Sequence, residues 1–199
     1  MKYPKLRELK EAVRALIVGP YTSKFPKEAH TPYLRFRGKP EFHDEDCTGC
    51  GACFQVCPAG AIDLQDKANA RTLTIHWDKC IACGQCQANC LTGKGIMLSN
   101  EFDLATTEKR EDLQQSVEKE MVLCECCAEA VAPFRQYEWV ANKLGPLCFS
   151  NASLLLFYFR NLNLAKKDIP PPRVKSEIRR ADRIKILCPN CRRQAVLKS

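Results

Sequence analysis

The fold of this chain is decided by the stretch Cys47-Thr48-Gly49-Cys50-Gly51-Ala52-Cys53-Phe54-Gln55-Val56-Cys57. Its cysteine spacing, C-x2-C-x2-C-x3-C, returns in Cys80-Ile81-Ala82-Cys83-Gly84-Gln85-Cys86-Gln87-Ala88-Asn89-Cys90. The chain has 14 cysteines among 199 residues. Residues 1–7 contain no apolar signal core, so the cysteines indicate metal binding in a reducing cytoplasm rather than disulfides.

The double run predicts two [4Fe–4S] clusters. Three cysteines at intervals of three wrap one corner of a cubane, and the fourth cysteine of each run ligates the other cluster. Gly51 and Gly84 let the backbone approach the inorganic sulfides. Neither cluster then has an open coordination position, which favours electron transfer over substrate chemistry. Cluster 1 is predicted to be bound by Cys47, Cys50, Cys53 and Cys90, and cluster 2 by Cys80, Cys83, Cys86 and Cys57.

Short alternating segments follow each run and predict strands. Residues 61–64 and 73–77 flank a predicted turn at 66–70, and residues 95–98 mirror the first strand after the second run. The pattern indicates an α+β fold with a bacterial two-cluster ferredoxin-like module over residues 41–105. Ile62, Ile81 and Ile96 are expected to pack against the clusters and to exclude water.

The N-terminal part, residues 1–40, is predicted to be a helix followed by an extended docking arm. Residues 3–18 place apolar side chains on one helical stripe with basic residues around it, and residues 20–40 are rich in Pro, Lys and Arg. Two interpretations of the amphipathic helix stay open. It packs on its own domain, or it docks on a membrane subunit or at the membrane surface.

A second group of cysteines lies in the C-terminal part. Two C-x2-C knuckles predict a four-cysteine zinc ribbon, with a rubredoxin-like iron site or an unmetallated arrangement as alternatives. Cys126 could replace a knuckle partner, and Cys148 is expected to be a buried core thiol. The predicted zinc ligands are Cys124, Cys127, Cys188 and Cys191.

The segment between the knuckles is a predicted helical insertion. Residues 134–145 and 153–164 read as helices, and the second is expected to form a core for the extension or a partner contact. Pro170-Pro171-Pro172 predicts an extended linker. Residues 106–199 are thus predicted to hold a linker and the zinc-ribbon-like or rubredoxin-like extension.

Several stretches outside the cysteine runs resemble a known family. They are Gly19-Pro20-Tyr21-Thr22, Phe25-Pro26, Arg35-Phe36-Arg37-Gly38, Phe102-Asp103-Leu104-Ala105 and Arg110-Glu111-Asp112-Leu113. With both runs, they resemble the two-cluster ferredoxin-like subunit of respiratory complex I over roughly residues 1–120. The same subunit type serves group 4 membrane-bound [NiFe] hydrogenases, including formate hydrogenlyase. Residues 123–134 and 188–192 resemble the formate hydrogenlyase type, although the insertion between the knuckles is longer than in that family.

The resemblance implies an electron-transfer subunit of a membrane-bound hydrogenase or formate hydrogenlyase-like complex, with no catalysis of its own. It implies a place on the cytoplasmic side of the membrane. The implied partners are a cluster-bearing small subunit, a [NiFe]-type large subunit and a membrane subunit. The chain contains no run of about 20 apolar residues, so no span of its own is expected.

Two alternative functions are compatible with the same residues. The chain could relay electrons in a complex I-like quinone or ferredoxin oxidoreductase. In a different class, it could be a soluble ferredoxin with a zinc-ribbon module for nucleic acid or protein. The formal charge of +8 is weak support for nucleic acid, because three thiolate-bound sites would reduce it to roughly +2.

Overall fold

The computed structural model describes residues 5–19, 22–67, 69–107, 109–165 and 178–197. The chain divides into two compact units, Met1–Phe36 and Arg37–Ser199. The predicted proline linker at residues 170–172 lies outside the described residues. Among the described helices, none combines the length and the apolar character that crossing a bilayer requires.

The first unit contains one regular element, helix α1 (Leu6–Val18), where the apolar periodicity predicts a helix. It begins with Glu8 Oε2 accepting the backbone N–H of Lys5 at 3.0 Å, and it ends at Gly19, whose φ of +83° suits a residue without a Cβ. None of the helix residues is buried, and Leu6 and Leu16 are 87% and 86% exposed. The apolar stripe of α1 therefore faces solvent.

In the second unit, a short helix lies inside each of the two cysteine runs. Helix α2 (Ala52–Gln55) begins after Gly51 and helix α3 (Gln85–Ala88) after Gly84, both glycines having the left-handed conformation. Strand β1 (Pro40–Phe42) pairs antiparallel with β4 (Ile96–Leu98). The remaining strands are β2 (Ile62–Asp66), β3 (Ala70–His76), β5 (Gln114–Leu123) and β6 (Ala130–Pro133).

These four strands form one antiparallel sheet in the order β2-β3-β5-β6. The predicted hairpin after the first run is β2-β3, and β5 joins it with Leu73 opposite Val117. The buried face of the sheet supplies a core that includes Ile62, Leu73, Ile75 and Val117. Strand β5 thus runs from the sheet of the ferredoxin-like module into the C-terminal extension, so the extension is anchored through backbone hydrogen bonds.

Three α-helices lie in the described part of the C-terminal extension after strand β6. Helices α4 (Phe134–Leu144), α5 (Ala152–Asn161) and α6 (Pro189–Leu197) occupy the predicted helical insertion and the second knuckle. The buried Phe157 ring of α5 contacts Phe134 and Tyr137 of α4 at centroid distances of 4.9 and 5.0 Å. The chain is therefore a mixed helix and strand protein with a ferredoxin-like domain, as the sequence predicts.

Candidate metal centres

Each cavity of the ferredoxin-like module is lined by cysteines from both runs. The lining of one cavity includes Cys57, Cys80, Cys83 and Cys86. The lining of the other includes Cys47, Cys50, Cys53 and Cys90. The structure therefore brings together the two groups of residues that the crossed spacing predicts as ligand sets. The ligand assignment itself stays a prediction.

A leucine side chain lies close to the glycine turn of each cysteine run, at equivalent positions. A Cβ placed on Gly51 would lie 2.7 Å from Leu64 Cδ1, and one on Gly84 would lie 3.3 Å from Leu98 Cδ1. Because φ is also positive at both glycines, +77° and +79°, other residues would be strained there. A strand leucine thus lies next to the glycine of each cysteine run, Leu64 next to Gly51 and Leu98 next to Gly84.

The three isoleucines of the predicted apolar walls line the two cavities, but they are not equally buried. Ile62 and Ile96 are 2% exposed and line the cluster 2 and cluster 1 cavities, as expected. Ile81 lines the same cavity as Ile62 but is 64% exposed, so its packing against a cluster stays a prediction. It lies between Cys80 and Cys83, outside the strands of the sheet. Strand residues are covered by the sheet, whereas a residue in this turn is not.

Burial changes the acidity of the cluster thiols. It raises the pKa of Cys53 to about 12 and that of Cys86 to about 11. Burial also opposes ionisation of Cys90, but hydrogen bonds from Thr92 and from the backbone N–H of Gly95 lower its pKa overall. Because iron binds the thiolate, cluster assembly must displace protons from the buried thiols.

Backbone N–H groups also point at ligand sulfurs. Ala61 N–H donates to Cys57 Sγ at 3.3 Å, and Ala82 N–H donates to Cys80 Sγ at 3.4 Å. Such hydrogen bonds stabilise thiolate charge and tune the potential of a bound cluster. Ala82 reaches this position with a φ of +50°, which an alanine rarely adopts.

The four knuckle cysteines of the extension meet at one point. All their sulfur atoms lie within 4.8 Å of one another, and Cys127 Sγ lies 3.7 Å from Cys188 Sγ. A tetrahedral ion with metal–sulfur bonds of about 2.3 Å requires sulfurs about 3.8 Å apart. The donor set therefore fits a tetrahedral zinc or iron ion. The four cysteines are Cys124, Cys127, Cys188 and Cys191.

The other two cysteines are not in this group. Cys126 is 1% exposed and belongs to the same apolar cluster as the knuckles. Cys148 is 3% exposed, as expected for a core thiol. The structure thus favours Cys127 over Cys126 as the partner of Cys124.

A buried ion pair, which the sequence analysis did not identify, ties the helical insertion to the first knuckle. Glu125 is 3% exposed, and its carboxylate accepts from Arg160 Nη1 of α5 at 2.7 Å and from Ile186 N–H at 3.1 Å. Arg192 donates to the hydroxyl of Ser153 in α5, and that hydroxyl donates to the Lys185 carbonyl. A charged residue between ligand cysteines is the sequence signal that could have indicated the pair.

Two cations that the sequence analysis also missed lie against the loop of cluster 1. Arg71 Nη1 donates to the Gly49 carbonyl at 3.1 Å. The side chain of Lys119 packs on the same glycine, since a Cβ there would lie 2.9 Å from Lys119 Cγ. Lys119 interrupts the apolar series of β5 at a buried position, between Val117 and Met121. A lysine in that alternation is the signal that could have found it.

Comparisons with known proteins agree with this geometry. A family model described as a 4Fe-4S dicluster domain matches residues 46–94. The chain is 36% identical over 116 residues to "Formate hydrogenlyase subunit 6" of Escherichia coli, covering 57% of this chain and 62% of that protein. It is 32% identical over 122 residues to "NADH-quinone oxidoreductase subunit I 2" of Geobacter metallireducens, covering 56% of this chain and 92% of that protein.

A solved structure is similar over part of the chain. It is a chain of the membrane-bound sulfane sulfur reductase, described as an archaeal respiratory membrane complex. It is 30% identical with a TM-score of 0.42, and the match covers 57% of this chain and 62% of that one. The matched part also spans less than two thirds of the Escherichia coli subunit.

The Geobacter metallireducens protein is matched over nearly its whole length. Together with the dicluster domain at residues 46–94, that match confirms the predicted resemblance. The chain belongs to the family of NADH-quinone oxidoreductase subunit I, whose hallmark here is the double run of cluster-binding cysteines.

Proposed function

We propose that the chain is an electron-transfer subunit that relays electrons through two [4Fe–4S] clusters in a membrane-bound hydrogenase or formate hydrogenlyase-like complex. The observation that carries the proposal is the exchange of Cys57 and Cys90 between the two cysteine groups. When bound, the clusters supply one-electron oxidation and reduction. The residues of the chain hold them on one short frame and exclude water.

The frame suits electron transfer for a structural reason. Each cysteine run contributes to both cavities, so neither cluster can move away from the other without breaking its own ligation. Ile62 and Ile75 are buried between the runs, which keeps the region rigid and dry. Four cysteines at each cluster leave no position for a substrate. The chain itself therefore has no catalytic role in this proposal, and the chemistry belongs to other subunits.

The proposed ligands of the two clusters and of the zinc ion are the cysteines that the sequence spacing predicts. Cluster 1 takes Cys47, Cys50, Cys53 and Cys90, and cluster 2 takes Cys80, Cys83, Cys86 and Cys57. One zinc ion takes Cys124, Cys127, Cys188 and Cys191, which the sulfur distances support. Its role is structural, because it links β5, the turn after Ile186 and helix α6 where the apolar core is small.

The proposed organisation follows the sequence boundaries. Residues 1–40 dock the subunit, residues 41–105 carry the clusters and residues 106–199 form the metal-stapled extension. The exposed apolar stripe of α1 supports docking. The proposed partners are a cluster-bearing small subunit, a [NiFe]-type large subunit and a membrane subunit on the cytoplasmic side of the cell membrane. No nucleic acid is involved.

The same relay in a complex I-like quinone or ferredoxin oxidoreductase is the second candidate. The observation that favours it is the match over 92% of an NADH-quinone oxidoreductase subunit. The observation that favours the first candidate is the higher identity to formate hydrogenlyase subunit 6. Purification of the native complex through an affinity tag on this chain separates them. Nickel in the purified complex supports the hydrogenase, and its absence together with quinone reduction supports the second candidate.

The relay itself is tested by metal analysis of the anaerobically purified chain. About eight iron, eight acid-labile sulfide and one zinc per chain are expected. About nine iron without zinc would show that the C-terminal cysteines bind a rubredoxin-like iron ion instead of zinc. About four iron would contradict the two-cluster relay.

A further inference from the structure

Two cations face each other across the sheet at positions that would normally be apolar. Arg71 of β3 is the register partner of Lys119 of β5. Both lie on the sheet face that carries the buried Leu73 and Val117. Like charges directly opposite each other destabilise a sheet, and a buried lysine is costly unless it is compensated. Some negative charge on this face must therefore offset the pair.

The two cations converge on one glycine in the loop of cluster 1. Arg71 Nη1 donates to the Gly49 carbonyl, and the Lys119 stem packs on the same residue. Gly49 lies between Cys47 and Cys50, two of the proposed ligands. Among the residues that the structure describes, Lys119, at 7% exposure, is the one buried lysine or arginine.

The carboxylates that pair with these cations do not cancel their charge at the cluster. Asp66 binds Arg71 through two hydrogen bonds of 2.6 and 2.9 Å, and its side chain is 38% exposed. Asp44 binds Lys119 Nζ at 2.8 Å, and its side chain is 72% exposed. Water screens these exposed carboxylates more strongly than it screens the buried Lys119 and the Arg71 side chain, which is 15% exposed. The two cations therefore keep part of their positive charge at the Cys47–Cys50 loop.

The loop of cluster 2 has weaker electrostatic support. Arg37 Nη1 donates to the Cys83 carbonyl at 3.2 Å, which is the counterpart of the Arg71 contact. Arg37 is exposed to solvent, so its charge is screened. Lys39, next to the Pro40 that lines this cavity, is 13% exposed, but it is paired with two carboxylates, those of Glu41 and Glu101. Sulfur hydrogen bonds occur at both sites, at Cys57 and Cys80 for one and at Cys90 for the other, so they do not separate the two clusters.

We propose that Arg71 and Lys119 raise the reduction potential of cluster 1 above that of cluster 2, so that a module carrying one electron holds it on cluster 1. Reduction adds one electron to an anionic centre, and nearby positive charge stabilises the reduced form. The electron comes from the upstream donor of the relay, no bond forms or breaks, and cluster 2 remains oxidised. The inference rests on the proposed two-cluster function.

The test is a redox titration, followed by EPR, of the anaerobically purified full chain. Lys119→Met keeps the length of the side chain and removes its charge. The higher of the two reduction potentials is expected to fall by at least about 59 mV, which is tenfold in the one-electron equilibrium. The lower potential is expected to move much less. Arg71→Gln is expected to lower the same potential, and it decides the question if Lys119→Met does not bind iron.

Two control variants show how far the loss of other positive charges shifts the two reduction potentials. Arg37→Gln removes a cation at the loop of cluster 2 and is expected to lower the lower potential. Lys143→Gln removes an exposed charge on α4 and is expected to shift neither reduction potential. The proposal is overturned if Lys119→Met and Arg71→Gln lower the lower potential, or if they shift neither potential beyond Lys143→Gln. In those cases, a content of about eight iron per chain would show that the two-cluster relay still holds. A wild-type chain with about four iron contradicts the relay as well.

Discussion

Cys57, the last cysteine of the first run, lines the same cavity as Cys80, the first cysteine of the second run. The hairpin of β2 and β3 lies between them in sequence and returns the chain to the same place. The two cysteine runs therefore form one unit, since each cavity is lined by three cysteines of one run and one cysteine of the other.

Replacing Cys57 with serine is expected to damage cluster 2 and to spare cluster 1. Cys57 lines the cavity with Cys80, Cys83 and Cys86, whereas the other three thiols of its own run line the other cavity. EPR of the reduced variant should show one intact [4Fe–4S] signal, with iron content reduced by up to about four per chain. Cys90→Ser is the matched control and should damage cluster 1. Loss of cluster 1 alone in Cys57→Ser would contradict the crossed ligation.

Replacing one knuckle cysteine is expected to remove the zinc while leaving the iron. Cys127→Ser removes a sulfur from a group whose members lie within 4.8 Å of one another, and three thiolates bind zinc more weakly than four. Zinc should fall from about one per chain to well below half, with about eight iron retained. Cys126→Ser changes a neighbouring buried cysteine outside the group and should keep its zinc. The reverse result would make Cys126 the ligand.

Breaking the Glu125–Arg160 pair is expected to destabilise the extension strongly. Glu125→Ala leaves the partly buried Arg160 guanidinium without its carboxylate and Ile186 N–H without its acceptor. The free energy of unfolding should fall by about 3 kcal/mol, measured as a lower urea midpoint of the metal-loaded protein. Glu118→Ala on the exposed face of β5 should cost less than about 0.5 kcal/mol. Equal effects of the two variants would show that the pair contributes little.

A methyl group at Gly38 is expected to disturb the β1–β4 edge of the module. Its Cβ would collide with the Glu101 carbonyl oxygen and would lie 2.7 Å from that of Ser99. Gly38 N–H also donates to Ser99 O at 2.9 Å, so the two backbones cannot separate without losing a hydrogen bond. Gly38→Ala should lower the free energy of unfolding by about 3 kcal/mol.

Gly93→Ala is the control for this steric effect. Gly93 has a φ of +72°, but a Cβ there would meet no atom within 4 Å. Its cost is that of backbone strain, about 1 kcal/mol. If urea unfolding gives the same loss for both alanine variants, the close approach of the two backbones at Gly38 is not what requires the glycine.

The sequence by itself determined the chemistry of this protein. Ligand spacing is a local property, so C-x2-C-x2-C-x3-C identifies cluster-binding loops without knowledge of the fold. The strands after each run and helices α1, α4 and α5 were also predictable, because apolar periodicity and glycine stops act over a few residues. The family followed from short stretches around the runs and was confirmed by the match to subunit I.

Only the tertiary structure decided which distant groups meet. Strand β5 pairs with β3, and this register alone places Lys119 opposite Arg71 beneath Gly49. The Glu125–Arg160 pair forms because α5 returns to the first knuckle. Ile81 is exposed between Cys80 and Cys83, whereas Ile62 and Ile96 lie on strands and are buried. Contacts of this kind depend on how elements pack. A local pattern can mark Glu125 or Lys119 as unusual, but it does not name the distant residue that each one contacts.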